Sequence, residues 1–488
     1  MKNKLCTVIA LALLLATLFA AGCAVKEEET TAADGTANAT EADETAVPDD
    51  LPNSKFSGRT FRVLLQEGGQ SDFFTEDHEI AEPVHDAVFE RNKNVEDRFD
   101  VRFEINVDGY VNVNNRIKNS VKSGADEYDL CFVHMVSGAE LALDNDVLPF
   151  EKLPYIDLSK PWWDKSIKNG FSIRNNLMML NGDISPFSFS ITSCMYFNKT
   201  MFDRLDLEYP YELVKKGEWT LDKLIEYTKG ITQDADGDGK ITPDGSSDIY
   251  GLTSWHLDVP YSLYYAAGGM LVSKDQDDVP YYDPQLDRDT EIYGKLYDVI
   301  ITNKAFYATD MANYNHVYKL FTDGRAMFLD SMLNLAGSMR EMNDEFGIIP
   351  VPKLNKSQPE YKSFVNGASS MICVPATVKE SDREYVSILI EGIASEAYKI
   401  VTPVLKENYL KRKVTRDADS AEMIDYIVRN RVFDMAYVNM YDGVGSYVRV
   451  LLSKGSKDIS SAMKSYQKSA KRKIENIVKA FDKSLQRG

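Results

Sequence analysis

The sequence predicts a mixed α/β protein in two lobes, and three observations predict it. Residues 60–133 alternate apolar runs of strand length with amphipathic helical patterns, in the order β-α-β-α-β. Residues 317–352 return to the same alternation late in the chain. The chain is 488 residues long, enough for two bodies of ordinary domain size.

In the first of these stretches, residues 60–65 (TFRVLL) read as a strand that ends at Gln66-Glu67. A helix over 84–99, an alternating strand over 101–107, a helix over 111–123 and a buried strand over 129–133 follow, with His134 at the last strand's exit. Open α/β sheets bind ligands outside the carboxyl ends of their strands, so Gln66, Glu67 and His134 are candidate contacts. The competing readings are a solvated loop for the first two and a structural role for the histidine. In the second stretch Val317, Tyr318 and Phe321 form one apolar stripe at helical spacing. Asp323-Gly324 ends that helix, with Gly at the position that takes left-handed geometry. Ala326-Met327-Phe328-Leu329 is a continuous apolar run, expected of a strand buried on both faces, and it ends at Asp330-Ser331. Another apolar run begins at Phe346 and stops at Pro352.

The N-terminus carries Lys2 and Lys4, then an apolar run from Leu5 to Ala21, too short for a comfortable membrane span and laid out as a signal peptide. Ala20-Ala21-Gly22 before Cys23 has the small-residue layout of a bacterial lipoprotein cleavage box. Residues 1–22 are therefore expected to be removed, leaving Cys23 as a lipidated N-terminus anchored by its acyl chains. Residues 23–55, rich in Ala, Thr, Glu and Asp, are expected to form a disordered acidic tether.

The formal charge is −19, and loss of Lys2 and Lys4 takes it to −21. That balance excludes nucleic acid as a default partner, since such binding rests on basic surface. Cys131, Cys194 and Cys373 sit in apolar runs without metal-ligand spacing and read as buried free thiols. The sequence contains no G-x-S-x-G or HExxH motif and no Cys–His pairing, so a surface hydrolase is the weakest of the function classes and the chain is not expected to be an enzyme.

Asp234-x-Asp236-x-Asp238-Gly239-Lys240 places oxygen ligands at positions one, three and five of a loop, Gly at six and a backbone carbonyl at seven, which matches the first part of a calcium loop. Position twelve is Gly245 instead of the usual Glu; Asp244 and Asp248 are near enough in sequence to substitute. A structural Ca²⁺ is the expectation, held by Asp234, Asp236, Asp238, Lys240 through its carbonyl, and Asp244. The alternative is an acidic solvated turn.

Phe321, Gly324, Arg325, Ala326 and Met327, followed by Phe346, Gly347, Pro350 and Pro352, resemble a signature of extracellular solute-binding proteins of the maltose-binding type, family 1. Tyr196-Phe197-Asn198-Lys199, Trp219-Thr220, Tyr250-Gly251 through Gly268-Gly269, and Asn366-Gly367-Ala368 resemble further markers of that family in the expected order. The resemblance implies a type II periplasmic-binding-protein-like fold, each lobe a mixed sheet flanked by helices, hinged by crossing strands. It places residues 56–195 with 331–372 in the first lobe and 196–330 with 373–488 in the second. It also implies that a carbohydrate is captured by lobe closure and handed to the permease of an ABC importer, by a lipid-anchored monomer. At least one of Trp162 and Trp163 is expected to line or flank the cleft, where an indole face stacks on a sugar ring. Trp255, Asp258 and Tyr261, with Asp330, Met332 and Asn366, match ligand-facing positions of the family. A non-sugar solute such as a peptide is the alternative ligand.

Overall fold

The computed structural model describes residues 47–73, 83–242, 247–309, 314–339, 341–407, 418–439 and 441–486. The expected signal peptide, Cys23, most of the tether, and Asp244 lie outside the described residues. The expected tether runs too far: its last residues, from Pro48 on, belong to the folded unit. Burial works against the Asp49 charge, but the Arg98 guanidinium at 2.5 and 3.0 Å holds its carboxyl down to about 2, so this end is docked by a paired charge.

Residues 48–488 form one unit carrying two principal sheets. The first uses β1 (Arg59–Gln66), β2 (Val101–Asp108) and β3 (Leu130–His134), with α1 (Pro83–Phe99), α2 (Tyr110–Ser123) and α3 (Met135–Asp144) as connections. The second uses β4 (Ser193–Asn198), β5 (Tyr250–Trp255), β6 (Phe306–Thr309), β7 (Ala326–Met332) and β8 (Phe346–Ile349); α4 (Val259–Ala266) follows β5. The chain then returns to the first sheet as β9 (Ser370–Cys373) and continues as α5 (Arg383–Glu396). The strand orders are β9-β3-β1-β2 and β8-β4-β7-β5-β6. Within the first, β1 runs parallel to β2 and β3 while β9 is antiparallel to β3. Within the second, β5 is parallel to β6 and β7, and β4 is antiparallel to β7 and β8. Both sheets are mixed, as expected.

The signature stretch explains the second sheet. Gly324 takes φ +74°, and a Cβ there would stand 2.5 Å from the Asp344 carboxylate, so the turn requires glycine twice over. β7 is buried along its whole length, and Phe328 at its centre stacks on the buried Trp219 at 5.7 Å. That makes Trp219 a packing residue of the second sheet. β7 also runs on through Asp330 to Met332, past the polar pair where the sequence suggests an end. The strand tolerates Asp330 because the Ser254 and Ser262 hydroxyls donate to its two oxygens at 3.1 and 2.6 Å.

The expected division of the chain needs correction in two places. Residues 346–349 pair with β4 in the second sheet, because the antiparallel register sets Gly347 against Phe197. Residues 383–396 pack on α1 beside the first sheet, where Gly392 lets Phe99 approach. Cys131 and Cys373 face each other across β3 and β9 as buried free thiols, and Cys194 is likewise free and buried. Among the described residues no helix is long and apolar enough to cross a membrane.

Candidate functional site

The return segment from Asn366 to Ser370 brings side chains from both sheets together. From the first sheet, Gln66 at the carboxyl end of β1 donates its amide to the Ala368 carbonyl (3.1 Å) and to the Ser370 hydroxyl (2.9 Å). His134, at the end of β3, stands opposite Ser370 in register. From the second sheet, Asp258 at the start of α4 accepts from the Asn366 amide at 2.9 Å. Tyr261, one helical turn on, packs against Tyr437 (4.8 Å), whose hydroxyl accepts from the Gly367 N–H at 3.2 Å. Six of the sequence-derived candidates thus converge, counting Asp330 beside Asp258: Gln66, His134, Asp258, Tyr261, Asp330 and Asn366.

The electrostatics of this cluster centre on two carboxylates. Burial, then the neighbouring Asp330 charge, push half-buried Asp258 up to about 8, with the Asn366 amide pulling the other way. Burial pushes Asp330 up to about 7 against its two serine donors. Asp330 is satisfied from within the protein, whereas Asp258 has one donor from a side chain among the described residues and keeps acceptor capacity. A neighbouring polyol could supply the missing donors. Behind Gln66, buried Asp72 accepts from Ser185 (3.0 Å) and the Phe187 N–H (2.8 Å); burial raises it to about 7, and buried Arg91 donates to its carbonyl.

The remaining candidates divide. His134 caps α3, its Nδ1 accepting from the Ser137 N–H at 3.3 Å, and burial lowers it to about 4, so it is neutral at physiological pH. Glu67 is exposed beyond the end of β1 and its backbone bonds the Asp108 carbonyl. Trp255 is partly exposed at the end of β5, edge-on to His256 at 6.2 Å. Met332 closes β7, paired with Ser193, and is buried. The tryptophan pair lies deep in the fold. Trp162 and Trp163 are 0% and 2% exposed, and both indole N–H groups go to one carboxylate, Glu391, at 2.9 and 3.0 Å. Two adjacent indoles are buried together because a shared acceptor removes the cost of desolvating both. Trp162 is enclosed, and Trp163 borders a cavity formed with the helix Lys165–Phe171 and the strand Arg431–Val432.

Tyr110 is the residue sequence reasoning missed. It begins α2 just past the carboxyl end of β2, is 48% exposed, and its ring lies 5.0 Å from the His134 ring. The carboxyl-edge rule applied to β2 as well as β1 and β3 would have found it. Ser262, four residues after Asp258 on the same helical face, was legible from spacing alone.

In the acidic loop, Asp234, Asp236 and buried Asp248 bring carboxylate oxygens within 4.8 Å of one another. Asp248 also accepts from the Ala235 and Thr242 N–H groups, at 2.9 and 2.8 Å, and so closes the loop. Arg325 of the Gly-Arg-Ala turn donates to the Asp248 carbonyl at 2.9 Å, tying the loop to the start of β7. Asp238 is outside the carboxylate group, its side chain turned to the Lys240 N–H at 2.8 Å. The three-aspartate group is able to hold an ion, with Asp248 in the set in place of Asp238.

No protein-family model matches the sequence, and no curated protein matches it. Solved structures do match in fold. A cyclo/maltodextrin-binding protein complexed with maltotetraose aligns at TM-score 0.55 and 13% identity, over 89% of this chain and 99% of its own. UspC of M. tuberculosis aligns at TM-score 0.54 and 14% identity, over 85% and 100%. The ABC substrate-binding protein Lmo0181 of Listeria monocytogenes, in complex with cycloalternan, aligns at 0.51 and 14%, over 87% and 99%. At such identities the likeness is one of fold. With two mixed sheets flanked by helices and the chain passing between them, this protein has the type II periplasmic-binding-protein fold, and its structural neighbours include a cyclo/maltodextrin-binding protein and an ABC substrate-binding protein.

Proposed function

We propose that the chain is the solute-binding component of an ABC importer that captures an extracellular oligosaccharide and delivers it to a membrane permease without altering it. The observation that carries this reading is the convergence of Gln66, Asn366 and the Asp258–Asp330 pair at the carboxyl ends of strands from both sheets. Asp258 accepts sugar hydroxyls, and Tyr110 and Trp255 supply aromatic surface to the ring faces. Closure of the two sheets on the ligand then makes the permease-competent form. Lipid on Cys23 holds the monomer at the outer face of the membrane. A structural calcium in the Asp234–Asp236–Asp248 group pins the loop braced by Arg325.

The test is a thermal-shift screen of the mature chain against linear and cyclic oligosaccharides and short peptides, with product analysis. An oligosaccharide that raises Tm without being cleaved supports the proposal. A shift only with peptides, or cleavage of the sugar, sinks it.

A further inference from the structure

One cavity is lined by none of the residues of the Asn366–Ser370 cluster. It has a volume of about 870 Å³, within the range of small-molecule sites. Its walls come from the helix Lys165–Phe171, from Arg288, from the segment around Lys362, and from the strand Arg431–Val432. A neighbouring cavity of about 610 Å³ shares Arg288.

The charge lining this cavity is opposite to that of the chain. The protein carries −19 overall, yet Lys165, Arg288, Lys362, Arg429 and Arg431 all line one space. Arg431 is committed to Asp164 at 2.6 Å, both being about one-tenth exposed. The other cations are not so committed. Among the described residues no carboxylate stands within 4.0 Å of the Lys362 ammonium or of the Arg288 and Arg429 guanidinium groups. Arg288 is aimed by a bond to the Gly268 carbonyl, and Arg429 rests over the Tyr426 ring at 5.9 Å. Lys362 is half-buried, and burial, then the Arg288 charge, pull its ammonium below the ordinary lysine range. Three carboxylates also line the space: Asp164 is taken up by Arg431, burial raises Asp183 to about 7 against the pull of Arg431, and Glu360 accepts from the Asn430 amide at 3.4 Å. A half-buried ammonium facing the exposed Arg288 and Arg429 guanidinium groups across one space, with acidic surface abundant elsewhere on the chain, is an arrangement that an anion relieves.

We infer that this cavity binds a small phosphate-bearing solute, or phosphate itself, between Lys362, Arg288 and Arg429. A phosphomonoester carries about −1.5 to −2 charge and three acceptor oxygens at neutral pH, which suits positive groups converging from separate segments better than a single carboxylate would. The site is independent of the oligosaccharide reading and stands if that reading falls.

The test uses the full mature chain and four probes at matched ionic strength: inorganic phosphate, glycerol phosphate, acetate and chloride. Phosphate or glycerol phosphate at about 10 mM is expected to raise Tm by about 2 °C or more, with acetate and chloride giving less than half of that. A response to phosphate alone assigns the free ion; a larger response to glycerol phosphate assigns an ester. The double variant Lys362→Met/Arg288→Gln is expected to lose the shift, and Lys93→Met, exposed on α1, to keep it. Should the double variant fail to fold by circular dichroism, exposed Arg429→Gln is expected to weaken phosphate binding about threefold or more in calorimetry. Equal shifts with all four anions, or a phosphate response unchanged in the pocket variants, would overturn the inference.

Discussion

Glu391 and Asp258 are both carboxylates set among aromatic residues, yet their surroundings have opposite consequences. Glu391 takes both indole N–H groups of Trp162 and Trp163, one on each oxygen, and is closed off from solvent. Asp258 has the Asn366 amide, stands beside a second carboxylate, and is partly open. A carboxylate whose donors all come from the fold holds the fold together. One left with acceptor capacity at the edge of two sheets is available to a ligand. Aromatic richness does not separate these cases; the count of donors on each oxygen does.

The largest expected effect tests the closed side. Glu391→Ala leaves two buried indole donors unmet, at about 1–3 kcal/mol each, so urea melting is expected to show a loss of about 3 kcal/mol or more. Glu391→Gln keeps an acceptor and loses less. Burial raises Glu391 from 4.5 to about 7 despite the indoles. The folded state therefore binds more protons than the unfolded one between those values, and stability falls as pH rises through that window. The Gln variant is expected to show a shallower slope over the same range.

The second prediction tests the open side. Asp258→Asn removes the ionised acceptor and is expected to weaken oligosaccharide binding about 10- to 100-fold, with Tm unchanged or raised because the repulsion from Asp330 goes too. In the parent protein, hydroxyl donors favour the ionised form of a group held near 8. Binding below that pH is expected to release protons, and affinity to rise as pH climbs toward 8; calorimetry in buffers of different ionisation enthalpy reads both.

A third comparison sets these buried groups against the acidic loop. Calcium at about 1 mM, relative to EGTA, is expected to raise Tm by about 2–4 °C in the parent protein and to have no effect in Asp236→Asn. An unchanged melt on chelation removes the ion from the account. The smallest effect belongs to Tyr110→Ala, for which about a fivefold loss of sugar affinity with an unchanged Tm is expected, since the ring is half-exposed and stacks from one side.

Much of this fold was legible because local patterns agreed with one another. Apolar runs and helical stripes located β1 to β3, α1 and β7, the carboxyl-edge rule pointed to Gln66 and His134, and the family resemblance pointed to Asp258. What escaped the sequence depended on distant partners. Glu391 lies 228 residues from Trp163, so nothing near the tryptophans told of their burial. β7 continues through Asp330 because of serines 68 and 76 residues away. The loop closes through Asp248 by backbone hydrogen bonds that spacing rules for calcium loops do not encode.

Two of the passages between the sheets run side by side. Thr192 bridges Val365, the Asn366 N–H meets the Ile191 carbonyl, and the Ser369 hydroxyl meets that of Ser188 at 2.8 Å. Two ropes lashed together bend easily across their shared width but resist being twisted or slid past each other. Any motion of one sheet against the other is expected to follow a swing about this shared width. Because Asn366 is both part of the lashing and the donor to Asp258, whatever displaces that amide from the carboxylate also pulls on the pivot.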